Sequence, residues 1–111
     1  MTYVTEWARL FALTLGVELA VAVPLLGKDD PLARRAGAVA FAQLASHPLV
    51  WFVIPTFGLA GARFLLLAEG WALASELVFY RLVFPRLTWR RALAISALAN
   101  GASMTVGGLL R

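Results

Sequence analysis

Two glutamates, Glu18 and Glu76, stand inside stretches that are otherwise apolar, LFALTLGVELAVAVPLL and FLLLAEGWALASELVFYRLVF. A carboxylate at bilayer depth costs about 2.5–3.5 kcal/mol on insertion scales, so a small chain carrying two is expected to use them. Such a pair can hold a cation, exchange a proton, or hydrogen-bond helices to one another. Two like charges in a low-dielectric layer repel. At least one of the two is therefore expected to hold a proton near neutral pH unless a cation or His47 compensates.

Other polar residues fall at the same level. Counted inward from the arginine-rich end of each apolar segment, Glu18, Glu76, Asn100, Ser46 and His47 all lie about 12–17 Å deep, at 1.5 Å per helical residue. The spacing also places them on single helical faces. Ser96, Asn100, Ser103 and Gly107 form one stripe; Glu69, Ala72, Glu76 and Tyr80 form another. Gln43, His47 and Trp51 are four apart, as are Thr14 and Glu18. Each stripe is expected to face the bundle interior.

Glu18 and Glu76 are the candidate charge carriers, with Asn100, His47, Gln43, Ser46 and Ser103 as neutral ligands. Each neutral residue also has a purely structural reading as an interhelical hydrogen-bonder. Glu69, nearer the other surface and on the face of Glu76, either lines a route to the layer or is a rim carboxylate. Proline leaves the carbonyl four residues earlier without a partner. Pro24 and Pro48 thus release the carbonyls of Ala20 and Leu44, expected at the depth of the layer. Ala99, Ser103 and Gly107 read as a small-residue ladder for close helix packing.

The rest of the chain specifies what must position these groups. The 111 residues are 61% hydrophobic and 14% charged, with a mean hydropathy of +0.81. A soluble domain averages about 45–50% apolar and about 25% charged. This composition predicts an all-α polytopic membrane protein, one domain over residues 1–111, with the lipid bilayer as solvent. Four transmembrane helices are predicted, at about 7–26, 36–58, 64–84 and 91–110, separated by GKDDPLARR, PTFGLAGAR and PRLTWRR. The N-terminus does not read as a signal peptide, because Glu6 and Glu18 interrupt the required pattern and no small-x-small site precedes Lys28.

Seven of the ten Lys and Arg residues (Lys28, Arg34, Arg35, Arg81, Arg86, Arg90 and Arg91) lie in or beside the first and third loops. The positive-inside rule places those loops in the cytoplasm and both termini outside, in a plasma (inner) membrane. Trp7, Trp89, Tyr3 and Tyr80 fit interfacial positions, although Tyr80 fits the bundle interior equally well. Arg34-Arg35 recurs as Arg90-Arg91 at an offset of 56, Gln43 and Ser46 pair with Asn100 and Ser103 at 57, and Glu18 pairs with Glu76 at 58. Two parallel helical-hairpin repeats are one reading of this; the generic likeness of transmembrane hairpins is the other.

The net charge of +4 is explained by topology, and no nucleic-acid module, phosphate loop or Ser–His–Asp set is present. Without cysteine, disulfides and thiolate chemistry are excluded. One histidine with several glutamates could hold a divalent metal, but no His-x-x-x-His or Glu-x-x-His pair occurs, and no cofactor is indicated.

In length, span number and a first-span glutamate the chain is similar to the small multidrug-resistance transporters. The first span LTLGVELAVAVPLL and the Glu69–Glu76 pair depart from that family's motifs, so the likeness is of size only. The chain more closely resembles a set of small four-helix integral membrane proteins, through SHPLVWF at Ser46 to Phe52, the Glu69–Glu76 pair, and Asn100 with Ser103 in ALANGAS. Gln43 departs from it, where asparagine is expected. That resemblance implies a shared fold and supplies no activity.

The function expected from these residues is binding or translocation of a small cation, proton or cationic solute through the polar layer, with a homodimer if four helices enclose too little space. The alternative is a non-catalytic accessory subunit or assembly factor that docks a larger membrane partner.

Overall fold

A computed structural model describes residues 2–109, which form four long helices and no strand among the described residues. Helix α1 spans Tyr3–Leu25, α2 Leu32–Pro48, α3 Gly61–Val83 and α4 Trp89–Leu109. The Thr2 hydroxyl accepts from the Thr5 amide at 3.1 Å and starts α1. Thr88 does the same for Arg91 at the start of α4. These caps satisfy amides that have no partner within the helix, and they begin both helices ahead of the apolar stretches that mark them in the sequence.

Helix α2 does not stop at Pro48. It widens into a π-helical segment, Leu49–Val53, then tightens into a 3₁₀ turn, Ile54–Phe57. Proline cannot donate to the preceding turn, and a change of helical pitch is one response to that loss. Gly58, at φ 73°, ends the segment in the left-handed conformation that glycine adopts without strain.

Each helix packs against two neighbours in the ring α1–α2–α3–α4–α1, so α1 stands diagonally across from α3. The apolar core lies towards the α1–α2 and α3–α4 loops. Val39, Ala22, Ala92, Ile95, Ala99 and Phe84 are among its buried members. Arginines close the same end. Arg34 of α2 donates to the Val83 carbonyl of α3 at 2.6 Å, and Arg91 of α4 donates to the Leu25 carbonyl of α1 at 3.3 Å. Cations suit the carbonyl-rich C-termini of helices. Leu25 and Val83 are 58 residues apart, the offset that separates Glu18 from Glu76. Each hairpin thus caps the first helix of the other.

Three stretches are long and apolar enough to cross a membrane: Tyr3–Leu25, Leu32–Phe57 and Trp89–Leu109. Together with exposed Phe41, Leu44, Leu66, Leu82 and Leu98 on the outside, they mark a membrane protein. The expected third span, 64–84, forms a helix but does not qualify as a span by composition. Arg63, Glu69, Glu76 and Arg81 are spaced so that every 18-residue stretch of α3 contains three of them.

Candidate functional site

The site is built around Glu76, which is 1% exposed. Gln43 of α2 donates its side-chain amide to one carboxylate oxygen. Asn100 of α4 donates to the other at 2.6 Å, and the Ser96 hydroxyl lies 3.3 Å from that same oxygen. Asn100 uses its second amide proton on the Ser96 carbonyl at 2.8 Å, which fixes its rotamer. One carboxylate therefore ties α3 to α2 and α4, and neutral donors meet both its oxygens. That set of partners suits an ionised carboxylate.

Glu18, diagonally across on α1, is 0% exposed and differently served. Among the described residues its one hydrogen-bond partner is Ser103, whose hydroxyl lies 3.3 Å from one oxygen while also reaching the Ala99 carbonyl at 2.9 Å. The second oxygen of Glu18 is buried without a hydrogen-bond partner. The Tyr80 hydroxyl, within electrostatic reach of both glutamates, is buried without one as well. Among the described residues no Lys, Arg or His forms an ion pair with either carboxylate. A buried polar atom left unsatisfied costs about 1–3 kcal/mol. Carboxyls that served only to join helices would be expected to satisfy both oxygens, as Glu76 does.

A cavity of about 260 Å³ leads from this layer towards the chain termini. Gln43, Ser46, His47, Glu69, Asn100 and Ser103 line it, whereas Glu18 and Glu76 stand behind that wall. Towards the loops the packed core follows directly, so the cavity is a vestibule reached from the terminal end. The structure thus brings six of the eight candidate residues to one cavity. It joins the remaining two to that cavity through Ser103, Gln43 and Asn100.

The structure adds detail to several expectations and corrects two, those on the Pro24 carbonyl and on Gly107. His47 does not bond either glutamate: its Nδ1 accepts from the Trp7 indole at 3.1 Å, and its ring packs on Phe11 and Trp51. With Nδ1 an acceptor, the imidazole is neutral. Ser46 donates back to the Ala42 carbonyl at 2.9 Å. Ala20 and Pro24 both lie on the outer face, so the carbonyl released by Pro24 belongs to that face and not to the layer. Gly107 is no close-packing position: a Cβ there would meet nothing within 4 Å, and the residue borders the cavity. Of the two positions open to Tyr80, interfacial or bundle interior, the structure shows the interior: the residue is fully buried.

Ser96 and Tyr80 belong to the layer although the sequence gives them only as members of stripes. Their spacing of four from Asn100 and Glu76 was the available signal. Among the described residues, no cluster of three or more His, Asp or Glu side chains is placed to hold a metal ion. No protein-family model matches the chain, and no similar curated protein or solved structure was found.

Proposed function

We propose that this protein binds a small cation, a proton or a cationic solute at the Glu18–Glu76 layer and passes it across the plasma (inner) membrane. The observation that carries this reading is the unpartnered, buried oxygen of Glu18 beside a second buried carboxylate, with no basic side chain among the described residues to neutralise either. Intramembrane carboxylates that are not paired internally mark ion and substrate pathways.

In this reading α3 is the fourth span. Its Glu76 is turned inward, away from lipid, while Leu66 and Leu82 form the outward surface. Averaged hydropathy charges a helix for residues that lipid never meets. The arginine-closed loops lie in the cytoplasm and the termini outside, so the vestibule opens outward and the packed core is the inner seal. Passage requires that seal to open in a second conformation. A homodimer is compatible with the apolar outer faces. The sequence offsets and the reciprocal arginine caps favour an origin in two parallel hairpins.

The test is a thermal-shift screen of the purified protein against inorganic and organic cations across pH, with Glu18→Gln and Glu76→Gln alongside. A ligand that binds only the folded form raises the unfolding temperature. A rise abolished by the substitutions supports the proposal. No rise with any cation at any pH transfers the reading to an accessory subunit.

A further inference from the structure

The vestibule has a chemistry of its own, distinct from that of the two carboxylates behind it. On the scale by which a single water needs about 10–15 Å³, its volume of about 260 Å³ far exceeds one bare ion. Its wall has two kinds of lining. Leu10, Leu13, Val50, Leu65 and Met104 supply an apolar surface; Gln43, Ser46, Asn100 and Ser103 supply neutral hydrogen-bonding groups. Among the described lining residues Glu69 is the one acid and none is a cation. Its carboxylate makes no hydrogen bond or ion pair with any other described residue. His47 adds no charge, because the Trp7 indole occupies its Nδ1.

An inorganic ion would leave most of this space, and all of its apolar lining, unused. A divalent metal would also find no cluster of three or more suitable ligands among the described residues. Pockets with an apolar lining and a few placed polar groups are the form that small organic ligands occupy. From this geometry we infer that the occupant is a singly charged organic ammonium ion with a short apolar chain. Glu69 receives the ammonium group, and Leu10, Leu13 and Met104 cover the chain. Ser103 stands between this occupant and Glu18, so the two sites form a sequence from vestibule to layer. The inference rests on the cation reading given above and narrows it to one chemical class and one contact residue.

The experiment measures the unfolding temperature of the full chain in detergent with propylammonium chloride, and with sodium, potassium and magnesium chlorides at matched ionic strength. Propan-1-ol serves as the uncharged isostere. The expected result is a saturable rise on the order of 5 °C with propylammonium well above its dissociation constant, and little with the salts or the alcohol. Glu69→Gln and Gly107→Leu should abolish the rise. Glu69 is only half-buried and Gly107 has open space beside it, so both variants should fold with unfolding temperatures near that of the wild type. If either does not, Glu69→Ala and Gly107→Val replace them. A rise of equal size with an inorganic salt, or one retained in Glu69→Gln, overturns the organic-ammonium inference and leaves the cation reading standing. No rise with any cation overturns both.

Discussion

Asn100 of α4 donates its side-chain amide to Glu76 of α3 at 2.6 Å, and this bond joins two helices at the level of the polar layer. With the Gln43 amide arriving from α2, the carboxylate anchors three of the four helices. Asn100→Leu removes one of these donors and leaves a buried carboxylate oxygen short of a partner. A loss of about 1–3 kcal/mol is expected, read as a lower unfolding temperature in detergent. Leu66→Ala, at a residue that is 74% exposed, should change stability by no more than about 0.5 kcal/mol.

The two glutamates should respond unequally to the same substitution. Glu76→Gln keeps one acceptor oxygen and turns the other into an NH2 donor, so one of the amide donors of Gln43 and Asn100 is left facing a donor. A loss of about 1–3 kcal/mol follows. Glu18→Gln keeps an oxygen for Ser103 and alters only the oxygen that already lacks a partner. Its effect on unfolding should be small. Chemical or thermal denaturation of both variants checks the ordering, and equal losses would refute the division between an anchored and an unanchored carboxylate.

Much of this arrangement is legible in the sequence, for definite reasons. Helical rise is constant, so counting inward from Leu26, Phe84 and Arg91, the loop ends of their segments, places Glu18, Glu76 and Asn100 at one depth without any knowledge of packing. Helix rotation is not legible in the same way. That Gln43 and Asn100 both turn to Glu76, leaving Glu18 with Ser103 alone, depends on how four cylinders settle against one another. Gly107 shows a second limit, since small residues at intervals of four suit a tight helix contact and an open cavity wall equally. Pro48 signals an irregularity but not its kind, a π-helical segment that continues α2 to Val53. His47 reads as a layer ligand because depth alone does not reveal Trp7, which reaches it from another helix.

Membrane orientation gives a third prediction. The chain has no cysteine, so single cysteines report cleanly. Asp29→Cys, at an exposed position in the α1–α2 loop, should resist an impermeant thiol reagent in intact cells. Ala60→Cys, exposed between α2 and α3, should react. Gly61 is a poorer reporter site because its φ of 59° strains any side chain. Labelling in the opposite pattern would refute the cytoplasmic placement of the arginine-rich loops.

The most direct test of the central claim is isothermal titration of the purified protein with propylammonium, and with sodium in parallel, at several pH values. The groups that can exchange protons around the layer and its vestibule are Glu18, Glu69, Glu76, His47 and Tyr80. A cation held by carboxylate oxygens competes with the proton for them, as metal ions compete with protons for their ligands. Affinity should therefore rise with pH, by up to about tenfold per unit where one proton is displaced. The heat should vary with the ionisation enthalpy of the buffer, because protons are released. Binding that rises with pH is the predicted result, with the propylammonium heat lost in Glu69→Gln and the heat of an ion that reaches the layer lost in Glu18→Gln. Binding that ignores pH and buffer, or no heat with either cation at any pH, would contradict it.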